Sequence, residues 1–248
     1  MRSLRLEFAK LRRKHVLLTA LVLIAAVLTW MCVSARQDGR GSASGWNSMF
    51  YAAPLMNSVF LSLLAAVVAS RVADVDHEAD AWKQLLCLQR TGALLAAKLV
   101  CTVLVMGFAI ALELAGTIVI GRVMGFPDMP GSSAWGSLFA SQLTASLCMV
   151  SIVGAIALRW ENQFIAIGSG LALSLAGLFS SFLPTALARL VPSGYFTLLS
   201  TLRIDWAAGS SAPVFYDIAP PLTDYALVAV ICLAACAFAY ASFSRKEH

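Results

Sequence analysis

One polar stretch between two apolar segments is rich in charged side chains and contains a tryptophan. These are the residue types that could catalyse a reaction or bind a partner. The stretch runs from Arg71 to Arg90 and reads RVADVDHEADAWKQLLCLQR. Its acidic residues can form the N-terminus of a helix. A side-chain oxygen at the N-cap accepts a hydrogen bond from a free backbone amide, and the helix dipole favours negative charge in the first turn. Asp74 or Asp76 would be the cap, and Glu78 and Asp80 would lie in the first turn.

An apolar patch follows on the same predicted helix. Trp82, Leu85 and Leu86 are spaced at i, i+3 and i+4, while Lys83 and Arg90 lie toward the C-terminal end. The pattern predicts a short amphipathic helix. Two interpretations stay open: the helix lies on the membrane with Trp82 as an interfacial anchor, or it presents the tryptophan and the acids to a soluble partner.

Metal and catalytic chemistry find no support in the sequence. His77 lies among acids, but one histidine on a helix does not supply the three or four convergent ligands of a zinc site. The six cysteines form no C-x-x-C pair and are interpreted as small apolar residues. Neither a P-loop nor an H-E-x-x-H or G-x-S-x-G motif occurs. We therefore predict no catalytic residue, metal or cofactor in this chain, and no enzymatic activity of its own.

The elements around this stretch are apolar. Of 248 residues, 60% are hydrophobic and 12% charged, against about 25% charged in soluble domains. This composition excludes an ordinary soluble enzyme, a secreted disulfide scaffold and a disordered tail. Six stretches reach the roughly 20 residues that a membrane-spanning helix needs. The predicted fold is therefore an all-α integral membrane protein, a single domain over 1–248, with spans at Val16–Ala35, Phe50–Ser70, Leu94–Ile120, Trp135–Leu158, Phe164–Leu183 and Thr223–Phe243.

Charge predicts the orientation. With the N-terminus inside, 13 of the 18 lysines and arginines lie on the inner side and 5 on the outer side. Both termini are therefore expected in the cytoplasm. Residues 1–14 carry Leu4, Phe8 and Leu11 on one stripe, which predicts a basic interfacial helix; a disordered topogenic tail is the alternative. The outer loop, 184–222, holds five of the eight prolines, and its apolar stretch Tyr195–Leu202 predicts a short helix dipping into or lying on the outer leaflet.

Polar and small residues inside the spans carry further expectations. Glu113 lies well inside the third span, where a charge costs about 2.5–3.5 kcal/mol, so it is expected to face protein or water as a structural group or as part of a transport route. In the fifth span, Ala166, Gly170 and Ser174 form a small-residue stripe that predicts close helix packing, within this chain or with a second copy.

Two segments resemble a known family. Glu7-x-x-Lys10-Leu11-x-Arg13, leading into the first span, resembles the start of type-2 ABC transporter permeases. The stretch from Glu78 through Trp82-Lys83-Gln84-Leu85-Leu86 to Arg90, with Lys98 entering the third span, resembles the permeases of lantibiotic immunity transporters. Six spans and a proline-rich outer loop agree with that family's topology.

The resemblance implies partners and roles. It implies a cytoplasmic dimer of ABC ATPases that binds ATP and Mg²⁺, a second permease copy or paralogue, and the lipid bilayer of a bacterial plasma membrane. It implies a peptide or small-molecule substrate, such as a lantibiotic-like peptide or a drug, and no nucleic acid. It also assigns loop 71–93 as the coupling helix, whose ATPase-facing residues would be Glu78, Asp80, Trp82, Lys83, Leu85, Leu86 and Arg90. Alternatives are a type-2 permease for lipid or polysaccharide, and a non-transport assembly or sensor protein.

The charge asymmetry generates a labelling prediction. Cysteines introduced one at a time at Ser42, Met129 and Ser210, in a background without native cysteines, should react with impermeant maleimide in intact cells. Cysteines at Asp80 and Glu247 should not react. Labelling of position 80 from outside would contradict the orientation.

Overall fold

The computed structural model of the chain describes residues 16–78, 91–160, 162–205 and 214–244. Within them, six helical segments are long and apolar enough to cross a membrane, which confirms the predicted fold class. Helices form here because hydrocarbon offers no partners to backbone amides and carbonyls, which must pair inside each segment. The spans are Val16–Asp38, Gly45–Val72, Lys98–Met124, Ser132–Arg159, Gln163–Ser180 and Leu222–Ala239.

The helices are numbered in chain order within the described residues. They are α1 (Val16–Asp38), α2 (Gly45–Asn57), α3 (Phe60–Glu78), α4 (Thr91–Met124), α5 (Ser132–Arg159), α6 (Gln163–Ser180), α7 (Thr185–Ala188), α8 (Tyr195–Leu198) and α9 (Leu222–Ser244). A 3₁₀ turn at Pro192–Gly194 precedes α8. The strands β1 (Leu202–Asp205) and β2 (Val214–Asp217) pair antiparallel, with Leu202 opposite Asp217.

The second span is interrupted, whereas the sequence predicts one continuous helix there. Helix α2 ends at Asn57 and α3 begins at Phe60, with a turn at Ser58 and Val59 between them. Pro54 lies inside α2 and has no amide hydrogen to donate to the preceding turn, which weakens the helix before the interruption. The span therefore has two parts, α2 and α3, that join at a buried asparagine.

Helix α5 lies at the centre of the bundle. It packs against α3 and α9 most extensively and also against α4 and α6, while α1 packs against α4 and α2. The core includes Met106, Met149 and the fully buried Tyr195 and Phe196 of α8. The stretch Tyr195–Leu202, which is predicted from the sequence to dip into the outer leaflet or lie on it, packs instead against the bundle. Its apolar side chains contact α2 and α5.

Aromatic side chains close one end of the bundle, which we call the Trp46 end. Trp46 contacts Phe126 and Trp135 edge to face at 6.1 and 5.9 Å between ring centroids, and Phe50 contacts Trp135 at 4.6 Å. The indole nitrogen of Trp46 donates to the carbonyl oxygen of Phe126 at 3.3 Å. These contacts join the loops that link α1 to α2 and α4 to α5. The opposite end, where α3 ends and α4 begins, is called the Arg71 end.

The small-residue stripe of α6 packs against α3 of the same chain. Ala166, Gly170 and Ser174 are all buried, and a Cβ at Gly170 would overlap the Cβ of Ala66. The hydroxyl of Ser174 donates to the carbonyl oxygen of Gly170 at 2.7 Å, which removes a polar group from the interface. The close approach of α6 to α3 therefore depends on glycine at position 170.

This approach generates a stability prediction. Gly170→Val should destabilise the protein by about 1–3 kcal/mol, since overpacking forces α3 and α6 apart. Gly168→Val is the matched control, because a Cβ at Gly168 meets no atom within 4 Å. Thermal unfolding in detergent measures both variants. Equal unfolding temperatures would show that the two helices do not approach each other at this glycine.

Candidate functional site

The predicted coupling loop joins α3 to α4. Helix α3 ends at Glu78 and α4 begins at Thr91. The prediction that Asp74 or Asp76 caps a new helix is therefore wrong, because Asp74, Asp76 and Glu78 continue α3. The remaining residues assigned to coupling lie outside the described residues, as does the predicted interfacial helix at 1–14. Those coupling residues are Asp80, Trp82, Lys83, Leu85, Leu86 and Arg90.

Buried polar contacts hold the two helices that flank this loop. The ammonium group of Lys98 in α4 donates to the carbonyl oxygen of Val72 in α3 at 2.7 Å, and Lys98 is only 6% exposed. Hydrogen bonds to a charged donor are stronger than neutral ones, and a buried ammonium group without an acceptor would be costly. The contact therefore ties the start of α4 to the end of α3.

A second contact ties α3 to α6 at the Arg71 end. With the Gln163 amide oriented so that its oxygen faces the guanidinium, Arg71 donates to that oxygen from Nη1 at 3.1 Å and from Nε at 3.2 Å. Gln163 is the first residue of α6. The contacts of Lys98 and Arg71 together therefore link α3, α4 and α6 to one another at the Arg71 end.

An apolar cavity of about 240 Å³ opens beside Lys98. Its wall is made by α3, α4, α5 and α9, with Lys98, Thr102 and Ser151 as its polar residues. The volume is below the roughly 300–1,000 Å³ of pockets for drug-sized ligands, so it suits one chain-like apolar group. Its other lining residues are Ala69, Val72, Leu99, Val150, Gly154, Ala155, Leu158, Cys236 and Ala239.

Glu113 lies in a polar pair inside the bundle. It is 0% exposed, and its Oε1 atom accepts a hydrogen bond from Nδ2 of Asn57 at 2.8 Å. Glu113 therefore faces protein, as one of the sequence-based interpretations expects. The pair connects α4 to the end of α2, at the interruption of the second span.

Ion pairing holds the outer segment at the Trp46 end. Nε of Arg189 lies 2.7 Å from Oδ1 of Asp224, and this carboxylate raises the pKa of Arg189. The hydroxyl of Tyr195 donates to the carbonyl oxygen of Arg189 at 3.0 Å. The described residues of segment 184–222 are therefore fastened to α9 through Asp224.

Within the same segment, Arg203 donates to the carbonyl oxygens of Thr197 and Leu198 at 3.2 and 2.9 Å. Burial lowers the pKa of Arg203.

Sequence reasoning missed Asn57 and the Arg71–Gln163 contact. Asn57 could have been found from the sequence, because it is a polar residue within the second predicted span and an amide in hydrocarbon needs a hydrogen-bond partner. Gln163 gives no comparable signal, because it lies at the edge of a span where water is an equal partner. Among the described residues, no three histidine, cysteine or acidic side chains come together as metal ligands.

Comparison with known proteins identifies one family. The model of the family described as ABC-2 family transporter protein matches residues 3–179, more than two thirds of the chain. The match covers α1 to α6 with the predicted coupling loop, and it ends before the outer segment and α9. No curated protein matches the chain.

Proposed function

The chain belongs to the ABC-2 family of transporter proteins, and from this premise we propose that it is the permease subunit of an exporter that moves an amphipathic peptide, of the lantibiotic kind, or a drug out of the membrane. The family match is the observation that carries the proposal, because it spans five of the six helical segments and the predicted coupling loop. Membership makes the chain a membrane permease of an ABC transporter. Substrate class and direction of transport are the proposed part.

The cavity beside Lys98 supports an amphipathic substrate. Four helices supply the mostly apolar lining, which favours a hydrophobic side chain or an acyl chain. The hydroxyl groups of a sugar would lack hydrogen-bond partners in such a cavity. A polysaccharide cargo is therefore disfavoured. A lipid cargo is the second candidate, since an acyl chain satisfies the same lining.

The proposed mechanism divides the work between chains. ATP and Mg²⁺ bind to a separate cytoplasmic ATPase dimer, and a second permease copy or paralogue completes the membrane part. Closure of the ATPases pushes on loop 71–93, with both termini of this chain on the same cytoplasmic side. The contacts of Lys98 with Val72 and of Arg71 with Gln163 support this mechanism, because they link α3, α4 and α6 to one another beside the loop.

The loop generates a coupling prediction. If Trp82 fills a groove on the ATPase, Trp82→Ala should remove about 2 kcal/mol or more of docking energy, as truncation of an interface anchor does. Co-purification with the cognate ATPase should weaken and substrate-stimulated ATP hydrolysis should be lost. Glu78→Lys should act in the same direction, more strongly at low salt.

Trp160→Ala is the matched control for this prediction. Trp160 directly follows α5 at the Arg71 end, is 47% exposed and lies outside the loop. It should leave ATPase binding and turnover unchanged. An intact complex with normal stimulated turnover in Trp82→Ala would contradict the coupling role and favour a helix that only lies on the membrane.

The cavity generates a transport prediction. Gly154→Leu should fill part of the cavity and lower substrate-stimulated ATP hydrolysis in vesicles several-fold, with the basal rate retained. The side chain has room, because a Cβ at Gly154 meets only the Cβ of Ala69, at 4.0 Å. Gly136→Leu, an exposed site on the same helix with no neighbour within 4 Å, should leave stimulation unchanged. Unchanged stimulation in both variants would place substrate elsewhere.

A further inference from the structure

Two buried oxygen atoms in the Asn57–Glu113 pair have no hydrogen-bond partner among the described residues. They are Oδ1 of Asn57 and Oε2 of Glu113, on side chains that are 1% and 0% exposed. Each belongs to a group whose other polar atom is satisfied by the 2.8 Å bond from Nδ2 of Asn57 to Oε1 of Glu113. Unpaired buried acceptors are rare in native proteins and each one carries a desolvation cost.

One proton would satisfy both atoms. A carboxylate has acceptors only, but a carboxylic acid gains an O–H donor. Oδ1 of Asn57 is the acceptor on the same amide that already donates to Glu113. An acid and an amide that face each other can therefore close a ring of two hydrogen bonds, N–H to Oε1 and O–H to Oδ1. The same proton removes a charge from the interior of a membrane bundle, where a single carboxylate is costly.

We infer that Glu113 is a proton-binding site, at which the bound proton joins the carboxylic acid to Asn57 in a reciprocal, neutral pair. The proton transfers from a hydronium ion of the bulk water to Oε2: one O–H bond of the hydronium breaks, one O–H bond to Oε2 forms, and a water molecule is left. The alternative, an ionised carboxylate with one donor, leaves both oxygens unpaired. The inference rests on the geometry of the pair and not on the proposed transport function.

The position of the pair gives the bound proton a structural role. Asn57 is the last residue of α2, and the turn at Ser58 and Val59 follows it directly. The hydroxyl of Thr117 donates to the backbone carbonyl oxygen of Glu113 at 2.9 Å, within the same helix. The pair thus joins α4 to the interruption of the span that continues as α3 toward loop 71–93.

Infrared spectroscopy tests the inference directly. The purified chain in phospholipid vesicles at pH 7 should show the carbonyl stretch of a protonated carboxylic acid, with a shift in D₂O. Glu113→Gln should abolish this band, and Asn57→Leu should move it to higher frequency, because the acid then lacks its acceptor. A spectrum without the band, or a band that persists in Glu113→Gln, would overturn the proton site.

Thermal unfolding of matched variants tests the pairing. Glu113→Gln mimics the protonated acid and can exchange the same two hydrogen bonds with Asn57, so Tm should stay within about 2 °C of the wild type. Glu113→Lys should lower Tm by more than about 5 °C, because it buries a positive charge beside the amide of Asn57 instead of beside an acid. If Gln lowers Tm as much as Lys, the group is an ionised carboxylate. If Lys is tolerated, the position reaches water. Either result contradicts the inference.

Exchange of the two groups supplies the control. Asn57→Asp alone places two acids face to face and should lower Tm. Asn57→Asp combined with Glu113→Gln restores an acid–amide pair of the same size with the roles reversed, and it should recover most of that loss. If the double variant loses as much Tm as the two single variants lose together, the reciprocal pair is overturned. No readout here uses transport, so failure of the proposed function would leave these results unaffected.

Discussion

Hydrocarbon offers no hydrogen-bond partners, and the architecture of this protein depends on that constraint. Backbone groups are satisfied within helices, so the chain crosses the membrane as helical segments. Polar side chains inside the bundle must find partners in the protein. Asn57 and Glu113 pair with each other, and Lys98 bonds to a backbone carbonyl oxygen. Each such contact also specifies which helices are neighbours, because a misplaced helix would leave a polar group unpaired.

The two ends of the bundle are built by different physics. At the Trp46 end, aromatic rings, the Arg189–Asp224 ion pair and a strand pair hold the loops. At the Arg71 end, hydrogen bonds from Lys98 and Arg71 hold the helices that flank the predicted coupling loop. Packed aromatic rings hold the Trp46 end through apolar contact, whereas hydrogen bonds hold the Arg71 end. This asymmetry suits a permease driven from one side.

Helix α3 connects the main features. It continues from the interruption beside Asn57, packs against α5 and α6, contributes to the wall of the apolar cavity and ends at the predicted coupling loop. The tight contact of Ala66 with Gly170 leaves little room between α3 and α6. Helix α3 therefore connects the predicted coupling loop to the cavity wall and to the turn that follows Asn57.

Composition and hydropathy by themselves determined the fold class and the positions of the spans, because the length of an apolar run and the thickness of the membrane are local quantities. They also predicted that Glu113 faces protein or water and not lipid, since the cost of a charge in hydrocarbon is set by its depth; the structure decided for protein. Only the tertiary structure identified Asn57 as its partner and placed Gly170 against Ala66 of the same chain. It likewise interrupted the second span and buried Tyr195 and Phe196 in the core. These outcomes depend on which helices meet, and helical periodicity does not encode the choice of neighbour.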